Sequence, residues 1–230
     1  MYYNRIVEYF TGKETMPKIV DEEERRLSIA DAALSIIARD GLENATFRAI
    51  AQERGLSLGA IQHSFSDQAQ LRQCVVGRFI QKVTDRLEAL DVRLAQHAQS
   101  RSHLEAASIL LFELLPLNKE REAEARIWES FSHASLTDAQ IAPLFQQLDR
   151  ALNAFCVGLI AQLKENFAIK EELDDSLEGT RLQALLDGLT LSLLIEPSNK
   201  NRSIAQSIIL RHLESLRSDD KLPGRSSSRE

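Results

Sequence analysis

The amino-acid sequence predicts an all-α protein: an N-terminal three-helix head containing a helix-turn-helix, then a larger helical bundle, about nine helices in all. Three observations carry that expectation. Apolar residues recur at intervals of three and four and almost nowhere at two. Glycine and proline punctuate the boundaries, as at Gly41, Gly55, Pro116 and Pro197. Capping signatures, a short polar residue followed three positions later by Glu or Gln, recur along the chain. With 43% apolar content, 230 residues can bury one large core, or a small domain beside a larger one.

The first helix is expected to open at Asp21, whose carboxylate can cap free amides while Glu24 completes the box. Leu27, Ala30, Leu34, Ile37 and Gly41 follow on one face. The acidic run from Asp21 to Glu24 complements a helix dipole and needs no further role. Two short helices come next, from about Thr46 to Arg54 and from Leu58 to about Phe65, around the turn Gly55-Leu56-Ser57. Helices this short do not persist alone in water, so both must pack on the first. Asp67 with Gln70 caps a long helix reaching about His97. Boxes at Ser102/Glu105, Thr137/Gln140 and Asp175/Glu178 place helices at about 103 to 116, 138 to 166 and 176 to 195. One more lies between Pro116 and Thr137, and the last covers about Arg202 to Arg217. The organisation expected is a disordered or non-native extension at 1–15, a helix-turn-helix domain at 16–66, a sensing and dimerisation domain at 67–217 and a disordered tail at 218–230.

Several function classes find no support. No apolar run approaches the ~20 residues of a membrane span and no signal-peptide core opens the chain, so a cytoplasmic location without membrane association is expected. Cys74 and Cys156 sit in apolar helical patterns and read as small hydrophobes. The five histidines show no metal-ligand spacing, no nucleophile and base are paired, and neither metal, cofactor nor enzymatic activity is expected.

Residues Ile50 to Phe65, IAQERGLSLGAIQHSF, carry the chemistry. Ala51 is small where two helices would cross, and Gly55 tolerates the left-handed backbone that ends the first. Leu56 is expected to plug the core and Ser57 to cap the second helix, with Ile61 and Phe65 anchoring it inward. Outward would stand Ser57, Leu58, Gly59, Ala60, Gln62, His63 and Ser64, a small and polar face that can enter a major groove. Structural helical hairpins share such turns, so spacing alone leaves DNA binding and plain packing equally open.

The stretch from Asp21 to Leu71 resembles the DNA-binding domain of the TetR family of bacterial regulators. The residues concerned are Gly41, Thr46 with Ile50-Ala51, Gly55-Leu56-Ser57-Leu58-Gly59, Ile61, Phe65 and the capped long helix. Pro17-Lys18-Ile19-Val20-Asp21 is similar to the usual start of one subgroup, which points to Met16 as initiator. Leu182 to Leu194, LQALLDGLTLSLL, is similar to the C-terminal domain of the BetI-like branch. The resemblance implies binding to double-stranded operator DNA as a homodimer and release by a small-molecule effector of unknown identity. It also marks departures: Gln62 stands where the family usually has Tyr, Ser64 where it has His or Tyr, and Gln68 where it has a phosphate-binding Lys.

Residues 18–68 hold six basic and nine acidic residues, net −3, a weak footprint for a polyanion on a chain of net charge −6. Binding must then lean on aimed contacts from Arg48, the Thr46 hydroxyl, Gln68 and helix N-termini, with Gln62 and His63 reading bases. A fold that has lost its operator affinity is the alternative. Leu182, Leu185, Leu186, Leu189 and Leu193 form one stripe and Ile204 and Ile208 join another. Bundle core and dimer interface explain them equally well by pattern; the resemblance favours the dimer. The candidates for an effector site are Phe79, His103, Phe112, Arg126, Trp128, Phe131 and Phe155, though aromatics at helical spacing are more often core.

Overall fold

The computed structural model describes residues 17–96, 102–166 and 168–218. Among them nine α-helices and one 3-10 turn follow one another: α1 Pro17–Asp40, the turn Leu42–Asn44, α2 Phe47–Arg54, α3 Leu58–Ser64, α4 Gln68–Gln96, α5 His103–Phe112, α6 Lys119–Ser135, α7 Ala142–Glu165, α8 Asp175–Ile195 and α9 Asn199–Leu216. The extension expected at 1–15, the end of the long helix at His97 and the tail beyond Ser218 lie outside the described residues. Ser218 itself, placed in the tail by the sequence, donates its backbone N–H to the Ala168 carbonyl.

Most boundaries follow from local capping. Thr46 and Ser57 accept backbone N–H groups from Ala49 and Ala60, each at 3.2 Å. Asp67 accepts from Gln70 N at 2.9 Å, and Ser102 with Glu105 forms the full reciprocal box. Three boundaries differ from expectation. Helix α1 begins four residues before Asp21, so Asp21 is interior to it rather than its cap. Asp138, not Thr137, holds the turn before α7, and that helix starts at Ala142 with a proline in its first turn. Asp174 rather than Asp175 caps α8 through Leu177 N at 2.8 Å.

The buried side chains form two apolar clusters. The first joins Ile29, Ala33, Ile36, Ile37, Ile50, Ile61 and Phe65 of the head to Leu71, Val75, Val76 and Phe79 of α4, and continues into Ile127 and Phe131 of α6, Ile141 just before α7, and Leu144 and Leu148 of α7. The second joins the far half of α4 to α5, α7, α8 and α9. The core therefore does not divide between residues 66 and 67, where the sequence places a domain boundary. Its seam lies about three turns along α4. Helices α7 and α8 approach so closely at Gly179 that a Cβ there would stand 2.5 Å from Val157 Cγ2 and 2.7 Å from its Cα.

Candidate nucleic-acid interface and effector cavity

The turn between α2 and α3 is held by backbone. Gly55 takes φ 65°, left-handed, and Leu56 N donates to the Ala51 carbonyl at 2.8 Å. Helix α3 turns Ile61 and Phe65 fully inward. Arg48, Gln62, His63, Ser57, Leu58 and Gly59 are exposed, with Ala60 half-buried. Leu56, expected in the core, is 38% exposed.

Ser64 corrects the outward face. It is buried, its Oγ accepts from Arg25 Nε at 3.1 Å, and its carbonyl accepts from Arg26 Nη1 at 2.6 Å. Arg26 also lies over the Phe65 ring, 4.3 Å from guanidinium carbon to centroid. Two α1 arginines thus fasten the C-terminal end of α3, where unpaired carbonyls favour cations. Arg25 Nη2 further stands 3.2 Å from His63 Nδ1. A guanidinium can only donate, so Nδ1 accepts and the neutral imidazole keeps its proton on Nε2. His63 thereby offers one defined donor, a match for acceptors such as guanine N7 or O6.

The head's cations are mostly committed inside the chain. Arg39 pairs with Asp40 and Glu53, Arg54 donates to Ser28, and Arg25 also bonds Glu22. Arg48 is exposed, and no hydrogen bond or ion pair engages it among the described residues. The Thr46 hydroxyl acts as a cap, and Gln68 is braced: its Nε2 donates to the Ala45 carbonyl at 3.1 Å, tying α4 to the segment that leads into α2. Gln68 is therefore a fastener where a free phosphate ligand was expected.

Beneath the head, α4, α6, α7 and α8 line a cavity of about 110 Å³ that opens in part to solvent. Phe79, Trp128 and Phe155, three of the seven effector-site candidates, line it. The other four candidates stand elsewhere. His103 is exposed at the start of α5, Arg126 is exposed and pairs with Glu122 at 2.9 Å, Phe112 packs against the second cluster, and Phe131 is fully buried in the first. An edge contact from Phe145, centroid to centroid 5.3 Å, sets the Trp128 ring. Sequence reasoning missed the charged lining groups: the pair Arg86 with Glu124, and Asp187. Asp187 was visible as the lone acid in the apolar run from Leu182 to Leu194.

Leu182, Leu186 and Leu193, expected at an intersubunit surface, are buried inside the chain at 0%, 2% and 3% exposure, and Leu186 faces the cavity. Leu185 and Leu189 are half-buried, while Ile204 and Ile208 are exposed. With them stand Leu177, Leu191 and Ile195, which the sequence reading omitted.

An exposed polar α3 carried on a compact head, above a long-helix bundle with an internal cavity, defines a helix-turn-helix regulator. Comparison with known proteins makes that specific. Residues 29–74 match the bacterial regulatory proteins of the tetR family, and residues 103–218 match the C-terminal domain of BetI-type transcriptional repressors. The chain is 34% identical over 210 residues to the HTH-type transcriptional regulator PksA of Bacillus subtilis, covering 89% of this chain and 96% of that one. It is 28% identical over 195 residues to the regulator BetI of Serratia proteamaculans, covering 85% and 92%. A regulator from Saccharomonospora viridis, solved in complex with choline, shares the fold with a TM-score of 0.68 at 22% identity, over 83% of this chain and 96% of that one. The chain belongs to the TetR family: it is a DNA-binding transcriptional regulator and not an enzyme. Among the described residues no helix is long and apolar enough to cross a membrane.

Proposed function

We propose that the protein is a homodimeric, cytoplasmic repressor that occupies a palindromic operator and leaves it when a small organic effector enters the cavity. The observation that carries this reading is the shared core. Phe79 and Trp128 line the cavity and pack into the same cluster as Ile29, Ile50 and Phe65 of the head. A close-packed interior passes displacement on rather than absorbing it, so a guest that moves α4 near Phe79 moves the head with it. The guest works only through unequal affinity for the two arrangements. A relative in the fold that holds choline supports a small-molecule occupant.

Pairing would use the outward faces of α8 and α9: Leu185, Leu189, Ile204 and Ile208 with Leu177, Leu191 and Ile195. Gly188 supports this, because among the described residues beyond its own helix turn nothing lies within 4 Å of a Cβ placed there, which leaves room for a second backbone to approach. A two-fold pair sets its recognition helices about 34–36 Å apart, on successive turns of the major groove. Arg48 and the helix N-termini would hold phosphates, while Gln62 and His63 read base edges.

Gel shift of the purified protein with the DNA upstream of its own gene tests the reading: a complex weakened by salt is expected, and its absence at low ionic strength would overturn it. The head's net charge of −3 and the commitment of Gln68 to Ala45 favour a second reading, a ligand-binding module with weakened operator affinity. On that reading Gln68→Lys with Gln62→Tyr creates binding that the wild type lacks; strong wild-type binding eliminates it.

A further inference from the structure

One side chain of α3 is held in a single hydrogen-bonding role by a residue of another helix. Arg25 of α1 reaches His63 with a guanidinium that is itself fixed: Nε donates to Ser64 Oγ at 3.1 Å, and Nη2 serves both the Glu22 carboxylate and His63 Nδ1, the latter at 3.2 Å. Nη2 carries two hydrogens, so these two acceptors use it up. The anchor is firm, because Ser64 is buried and its carbonyl accepts from Arg26 Nη1 at 2.6 Å. A guanidinium only donates, so Nδ1 is an acceptor and the ring's hydrogen lies on Nε2. The ring turns Nε2 away from the nitrogen that faces α1. His63 is exposed, and no hydrogen bond engages Nε2 among the described residues. Its neighbour Gln62 is exposed as well, but an amide both donates and accepts, so it adapts to what it meets.

A locked donor discriminates among bases in the major groove. Guanine presents two acceptors there, N7 and O6, and no donor. Adenine presents one acceptor beside an amino group, thymine one acceptor beside a methyl group, and cytosine an amino donor. An Nε2–H aimed at cytosine meets hydrogen with hydrogen. We propose that each operator half-site carries a guanine opposite His63, and that Arg25 is the positioning residue that makes His63 a donor-only reader. The proposal deepens the operator-binding reading and rests on it. Ser64 belongs to the same device: its short hydroxyl, where the family usually has His or Tyr, gives Arg25 Nε its acceptor. Guanine is therefore favoured at this position, adenine and thymine are intermediate, and cytosine is rejected.

Selection of bound duplexes from a random library by the full-length protein tests this, with the wild type, His63→Ala and Arg25→Met read side by side. Wild type is expected to return a palindrome with one guanine-dominated position per half-site that His63→Ala makes degenerate while the other positions persist. His63 is exposed, so that variant is expected to fold. Replacing that guanine by cytosine should weaken the wild-type complex about tenfold or more and change little in His63→Ala. Arg25→Met frees the imidazole to carry its hydrogen on either nitrogen, so the same position should come to admit cytosine. A merely structural Arg25 would instead lower affinity for every duplex alike, and an unchanged base preference in Arg25→Met overturns its positioning role. A selected palindrome with no guanine that depends on His63, or a uniform loss in His63→Ala as from a phosphate contact, overturns the proposal and leaves operator binding standing. No enriched duplex at low ionic strength rejects operator binding and this proposal together.

Discussion

Among the described residues the head offers an unpaired cation, Arg48, and the cavity an unpaired anion, Asp187. In the head, Arg25, Arg26, Arg39 and Arg54 are spent on Glu22, Ser64, Phe65, Glu53, Asp40 and Ser28, which leaves Arg48 exposed. In the cavity, Arg86 is spent on Glu124, which leaves Asp187. The difference teaches that net charge is a poor guide to partners here. Most ionised groups brace the chain internally, and the informative ones are the remainder: a cation where a polyanion docks, an anion on the cavity wall.

Three substitutions break or sharpen that contrast. The largest effect is expected in the bundle at Gly179, where an added methyl would meet Val157 side chain and backbone together. Gly179→Ala should cost about 2–3 kcal/mol of stability by forcing α7 and α8 apart, read by urea denaturation. Wild-type stability in that variant would mean that α7 and α8 part freely at this crossing. On the head side, Arg48→Ala should weaken operator binding by about 1–2 kcal/mol across all sequences and lower the salt slope by about one. A loss confined to one base pair would instead make Arg48 a reader of sequence.

The smallest effect concerns the stability of the free protein. Folding raises the Asp187 carboxyl from its ordinary 3.8 to about 6, through burial and then the nearby Asp149 and Glu129 charges, so between those values the folded chain holds more protons than the unfolded one. Stability therefore falls as pH rises through that window, and the penalty is complete above it. Asp187→Asn should remove the penalty and stabilise the protein at neutral pH by roughly 1 kcal/mol, a figure kept low because the side chain is partly exposed. Thermal unfolding across the window checks it: a profile unchanged by the substitution would place the excess charge elsewhere.

What the sequence disclosed was local. The caps at Thr46, Ser57, Asp67 and Ser102 are set by residues within three positions, and the Gly55 turn by one backbone dihedral, so the head's elements could be read directly. What it hid was the facing of side chains across helices. Trp128 and Phe131 are three residues apart on α6, yet one lines the cavity and the other closes the head's core, a choice fixed by α1 and α7. Ser64 reads as a polar surface residue until Arg25 and Arg26 of α1 descend on it. Leu182, Leu186 and Leu193 share a stripe with Leu185 and Leu189, and only the seat of α7 separates the inward members from the outward.

The single core running from Ile29 through Phe79 to Leu148 has a bearing on how such proteins can be recombined. A graft that cuts before Asp67 would strip the transplanted head of Leu71, Val75 and Val76 and of the α6 and α7 surfaces beneath it, exposing fully buried side chains to water. A working chimera between relatives must carry α1 to α4 together with matching α6 and α7 faces. Inheritance of operator preference and of effector response would accordingly travel as one block.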